Sequence, residues 1–163
     1  MAILDNLKFP IKRPILVTGS HRSGSTWVGK MLDLSNQTYY LGEIFNPKDG
    51  RLSQKLLTNW FLYIPVEEGR DHDIYKPLEQ ILRLNFSWPN RLGVRSFLPS
   101  RLILFRHTYK WFGFPRPIMK DPIAVLSAEW LAQVFNMDVI CLIRHPAAFV
   151  YSLAKANWDF NFR

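Results

Sequence analysis

The stretch Pro14-Ile15-Leu16-Val17-Thr18-Gly19-Ser20-His21-Arg22-Ser23-Gly24-Ser25-Thr26-Trp27-Val28-Gly29-Lys30-Met31-Leu32 decides the fold. It opens with a short, β-branched apolar run, Ile15 to Thr18, which predicts a buried strand. A polar turn bounded by glycines follows, Gly19 to Gly24. From Ser25 the apolar residues recur at helical spacing and predict a helix over Ser25 to Leu34. Strand, tight turn and helix in that order aim main-chain N–H groups and the positive end of a helix at one point. Gly19 and Gly24 admit backbone angles closed to other residues and let those N–H groups approach an anion closely. Arg22, Ser25 and Thr26 add side-chain donors.

The spacing is that of a phosphate loop, G-x4-G-K-[ST], with one difference: Ser25 stands at the lysine position. In a nucleoside-triphosphate site that lysine reaches the β- and γ-phosphates. A cradle without it is poorly equipped for Mg²⁺-assisted γ-phosphoryl transfer and points to a different activated anion.

Outward from the loop, Thr38-Tyr39-Tyr40-Leu41 predicts a second strand, ending at Gly42-Glu43. Ser53 to Tyr63 and Ile74 to Leu84 have helical apolar spacing. Glu67 to Asp73 between them reads as a solvated loop. Leu102 to Phe105 fits a strand or a helical segment. Pro117 to Lys120 predicts a strand, followed by Asp121-Pro122 as a helix start and a helix over Ala124 to Phe135. Val139 to Ile143 reads as the clearest buried strand, with Cys141 in the core, and runs through Arg144-His145-Pro146 into a helix from Ala147 to about Lys155. Strands alternating with helices imply a parallel sheet with right-handed crossovers: a three-layer α/β/α fold with a central parallel sheet, P-loop NTPase-like. In such sheets ligands bind beyond the carboxyl ends of the strands. The Gly19 loop, Glu43, Lys120 and Arg144 all fall at predicted strand ends.

The chain has 163 residues, the size of a single domain. Its formal net charge of +8 and sequence pI of about 9.8 favour anionic partners. One cysteine permits no internal disulfide, and neither a long apolar run nor a signal-like N-terminus is present, so a soluble, cytoplasmic protein is expected. His21, His72, His107 and His145 lack metal-ligand spacing, so no metal is expected. The basic, aromatic stretch Arg91 to Arg116 has no accompanying nucleic-acid motif and reads as core or as the wall of an acceptor cleft.

Arg22-Ser23-Gly24-Ser25-Thr26-Trp27 resembles the 5′-phosphosulfate loop of sulfotransferases, [KR]-S-G-[ST]-T-[WL]. These enzymes use 3′-phosphoadenosine 5′-phosphosulfate (PAPS) as donor. The resemblance implies that Arg22, Ser23, Gly24, Ser25 and Thr26 hold the phosphosulfate, with Trp27 completing the motif. The family's 3′-phosphate motif, a buried strand followed by R-x-P-x5-S, is matched by Arg144-His145-Pro146 and Ser152. An arginine at a strand end can grip a phosphate bidentately, and Ser152 adds a hydroxyl from the next helix.

Sulfuryl transfer also needs a base and cations around the moving group. Cytosolic small-molecule sulfotransferases place a histidine in a K-T-H-x-P motif; here the stretch is Lys120-Asp121-Pro122, without histidine. Gly42-Glu43-Ile44-Phe45-Asn46-Pro47 resembles the branch that uses a glutamate soon after the first helix. Glu43 is therefore the expected base, Asp121 the alternative, and Arg22 and Lys120 the expected charge stabilisers. The acceptor, a hydroxyl or amine of a carbohydrate or small molecule, is expected between Asn46 and Pro117, with Trp60, Tyr63, Trp88, Trp111 and Phe112 as stacking candidates. Sulfotransferase domains are usually larger, so residues 1–163 are expected to be either the N-terminal portion of one or a shortened relative, with weak or absent turnover alone. Two other readings stay open: a nucleotide kinase-like phosphotransferase, and a non-catalytic binder of nucleotides or sulfated glycans.

Overall fold

The computed structural model describes residues 12–35, 37–48, 52, 55–57, 59–83 and 115–158. Its elements are β1 (Ile15–Gly19), α1 (Ser25–Leu32), β2 (Thr38–Tyr40), α2 (Tyr75–Leu82), β3 (Arg116–Lys120), α3 (Ala128–Phe135), β4 (Asp138–Leu142) and α4 (Pro146–Lys155). The strands form one four-stranded sheet in the order β2-β3-β1-β4, with every pairing parallel. The fold is thus α/β, a parallel sheet flanked by helices. Because all strands run the same way, the loops after Gly19, Tyr40, Lys120 and Leu142 leave from one rim.

β1 is buried along its whole length, as expected of a central parallel strand whose two faces are both covered. Its register aligns Ile15 with Ile118, Leu16 with Met119 and Val17 with Lys120 on β3, and Gly19 with Leu142 on β4. Side chains alternate across a strand, so Leu16 and Met119 share one face and Ile15, Val17 and Ile118 the other. The first face packs on Leu78, Ile81 and Leu82 of α2 and Trp130 and Leu131 of α3. The second packs on Val28 and Leu32 of α1, with Ile140 and Leu142 of β4. Burying each such side chain contributes about 1.5–3 kcal/mol. α1 lies very close to the sheet: a Cβ on Gly29 would come within 2.8 Å of the Tyr40 ring and 3.3 Å of the Lys120 stem.

The helix expected over Ala124 to Phe135 is split. Ile123–Ser127 is a 3₁₀ turn and α3 begins at Ala128. Three residues per turn place Ala124 and Ser127 on one face, and both are buried. Ser127 also donates its hydroxyl to the Leu62 carbonyl. The described residues within 53–63 form turns and bends rather than a helix. The polar segment after Pro65 begins with a 3₁₀ turn, Val66–Glu68, and continues as turns. The expected segment Leu102 to Phe105 lies outside the described residues.

β4 corrects the sequence reading most. It begins at Asp138 rather than Val139, because the Asp138 N–H joins the Pro14 carbonyl at 2.8 Å and its carboxylate takes Arg13 and Arg116. It is an edge strand among the described residues, not a buried one. Ile140 and Leu142 pack on the α1 side, whereas Cys141 is exposed and Ile143 is 92% exposed. An apolar run on both strand faces does not reveal which face is covered, and Cys141 is therefore not a core residue.

Candidate functional site

The loop between β1 and α1 is shaped by two glycines that act differently. Gly19 has φ +134°, and a Cβ there would sit 2.2 Å from the Leu142 carbonyl oxygen, so the backbone of β1 and β4 can meet only at a glycine. Gly24 has φ +98° with open space around it; it is needed for its dihedral alone, as the left-handed N-cap of α1. Between them Arg22 also adopts a left-handed conformation, φ 62°. Such a conformation in a non-glycine residue needs support from its surroundings.

That support comes from the second motif. The Arg22 Nε donates to Ser152 Oγ at 3.1 Å, and Arg144 Nη1 donates to the Arg22 carbonyl at 2.6 Å. The Arg22 guanidinium also lies 5.9 Å from the centre of the Trp158 ring, a cation–π arrangement. Ser152 is buried on α4, whose first turn is capped by the His145 imidazole accepting from the Ala147 N–H at 3.2 Å. Two motifs more than a hundred residues apart in sequence thus interlock through Arg22. Ser23 Oγ is enclosed and has no hydrogen-bond partner among the described residues. Buried hydroxyls are nearly always paired, so an orphan inside this loop leaves a hydroxyl free to meet a ligand oxygen. Ser25 is buried beneath the loop, Thr26 is exposed, and Trp27 points to solvent at 67% exposure.

A second cluster occupies the other half of the rim. Lys120 ends β3 with only 6% exposure, and its ammonium is paired with the Glu43 carboxylate. The other Glu43 oxygen accepts from Asn46 Nδ2 at 3.2 Å. Asp121 is fully buried behind this pair. Its Oδ2 accepts from the Phe45 N–H at 2.6 Å and its Oδ1 from the Ile123 N–H at 3.1 Å. Burial pushes its carboxyl up to about 7; the backbone donors oppose this and the Glu43 charge adds to it. With both oxygens committed and no exposure, Asp121 is out of reach of an acceptor hydroxyl, whereas Glu43 is partly exposed.

His21 sits between the two clusters and was not singled out by sequence. Its ring packs edge-on against Phe61 at 5.3 Å and Trp158 at 6.1 Å. Burial holds it below the usual histidine range, with Glu43 pulling it up and Lys120 pushing it down. The only sequence signal was its place beside Arg22 in the loop. Of the candidate stacking aromatics, Trp60 and Tyr63 are exposed, with Lys48 5.9 Å from the Trp60 ring; Trp88, Trp111 and Phe112 lie outside the described residues.

Comparison with protein-family models, curated proteins and solved structures finds no match. Among the described residues no three histidine, cysteine or acidic side chains group as a metal site, and no helix is long and apolar enough to cross a membrane.

Proposed function

We propose that this chain carries the donor-binding half of a PAPS-dependent sulfotransferase on a three-layer, P-loop NTPase-like α/β/α scaffold. One observation carries this reading: the phosphosulfate-like loop and the R-x-P-x5-S motif meet, through Arg22 to Ser152 and Arg144 to Arg22. A donor with phosphates on both its 5′ and 3′ positions needs two anion sites, and the adjacency of the β1 and β4 ends supports this reading. The unpartnered Ser23 hydroxyl and the N-terminus of α1 suit the 5′ group. Arg144 and Ser152 suit the 3′ phosphate.

In this proposal Glu43 takes the proton of the acceptor hydroxyl as its oxygen attacks sulfur. The bond between sulfur and the bridging oxygen of the 5′-phosphate breaks, and adenosine 3′,5′-bisphosphate leaves. Lys120 and Arg22 offset the charge that grows on the sulfuryl and bridging oxygens. Glu43 is held against Lys120 and keeps part of its surface exposed, which supports its reach to an acceptor. The acceptor is a carbohydrate or small molecule with a hydroxyl or amine.

Calorimetric titration with adenosine 3′,5′-bisphosphate and with Mg²⁺-ATP tests the reading. Tighter binding of the bisphosphate is expected. Tighter binding of Mg²⁺-ATP would replace it with a phosphotransferase.

A further inference from the structure

Asp121 is a buried carboxylate whose two oxygens meet main-chain N–H groups rather than a cation. A buried charge is costly to keep, so its local connections call for a physical account. The two N–H groups belong to different segments: Phe45 lies in the turn after β2, Ile123 in the turn after β3. Serving both at once requires an acceptor on each oxygen, which a carboxylate has and an asparagine lacks.

The connections converge on one ion pair. Phe45 is two residues from Glu43, and Asn46 in the same turn holds the second Glu43 oxygen. Lys120 directly precedes Asp121. The Asp121 backbone is tied to β1 at both ends: its N–H donates to Val17 O at 2.9 Å, and its carbonyl accepts from Thr18 Oγ1 at 2.8 Å. One residue thus joins the glutamate's turn, the lysine's strand and the strand that feeds the anion loop.

We infer that Asp121 is a positioning residue for Glu43: by gripping the Phe45 and Ile123 N–H groups together, it fixes the turn that presents Glu43 to Lys120. The ionisable group whose charge reaches this grip is Glu43 from the turn; Lys120 pairs with Glu43, and His21 senses both members of that pair. Burial places the carboxyl's own titration near neutrality, so the grip tightens as pH rises through that range. Its catalytic meaning rests on the sulfuryl-transfer reading, but the positioning itself does not.

A double-mutant cycle tests it without any ligand. Glu43→Gln and Lys120→Met are made singly and together, and the coupling between them is measured by denaturant unfolding at pH 8. The cycle is then repeated in the Asp121→Asn background. The coupling is expected to fall to about half or less there. An unchanged coupling, whatever happens to overall stability, overturns the inference and leaves Asp121 as a local cap. If the Asp121→Asn chain does not fold, the unmodified protein supplies the test by NMR. The Phe45 N–H and the Asn46 side-chain amide should move in the same pH step near neutrality. Movement of Phe45 alone would overturn the inference. Neither experiment needs PAPS, so failure of the donor assignment is separately visible in the bisphosphate titration.

Discussion

The two halves of the rim hold charge in opposite ways. Around Arg22 the cations are arginines, held at exposed or half-buried positions by a hydroxyl, a carbonyl and an aromatic ring. Around Lys120 the cation is a buried ammonium matched by Glu43, whose turn is held by the buried carboxylate of Asp121. Guanidinium groups are planar, always charged and weakly hydrated, which suits gripping a phosphate that comes and goes. An ammonium–carboxylate pair in a drier place is suited to holding one geometry while a proton moves. Under the proposed function, the first half binds the donor and the second holds the base, with Arg22 also facing the transferred group.

The sharpest way to break this division is Glu43→Gln. Turnover should fall by about a thousandfold while affinity for adenosine 3′,5′-bisphosphate stays within about twofold, measured by steady-state kinetics and calorimetry. Parallel loss of affinity would show that the two halves are not separate. Next comes the loop itself. Gly19→Ala should cost about 3 kcal/mol of unfolding free energy, from left-handed strain plus the clash with Leu142. Gly24→Ala, strained but unobstructed, should cost only about 1 kcal/mol. Equal losses in chemical denaturation would mean that close strand approach is not what Gly19 serves.

A pH-dependent effect sharpens the Lys120 half. The folded-state carboxyl of Asp121 titrates at about 7, above the ordinary 3.8. Between those values the folded chain holds a proton that the unfolded chain has released, so this group's contribution to stability falls as pH rises, then levels above about 7. Asparagine does not titrate. From pH 5 to 7 the native chain should therefore lose on the order of 2 kcal/mol relative to Asp121→Asn, followed by urea unfolding. A pH-independent difference would mean that Asp121 is not a buried, near-neutral acid.

The two halves also differed in how far sequence could reveal them. The donor half is local: glycine spacing, Arg22 to Trp27, and Arg144 to Ser152 each follow from a few adjacent residues and one strand-to-helix turn. Its strands were foreseen to within a residue or two. The chemical half is not local, since Glu43 and Lys120 are joined only by the sheet order β2-β3-β1. Each could be named from its place at a strand end, but the Asp121 grip could not, because it depends on which main-chain groups the packed turns leave facing inward. His21 was missed because its place is set by ring contacts with Phe61 and Trp158, both distant in sequence. β4 was misread because hydrophobic patterning reports the apolar character of both faces, not which one is covered.

The central claim is that the two motifs form one donor site, with Arg144 assigned to the 3′-phosphate. Calorimetry of the native chain and Arg144→Ala, each with adenosine 3′,5′-bisphosphate and with adenosine 5′-monophosphate, measures that assignment directly. Removing Arg144 should weaken the bisphosphate by about a hundredfold, as for loss of a charge-assisted contact, and the monophosphate at least about tenfold less. An equal loss for both ligands would contradict the claim, because Arg144 would then be acting only by supporting Arg22.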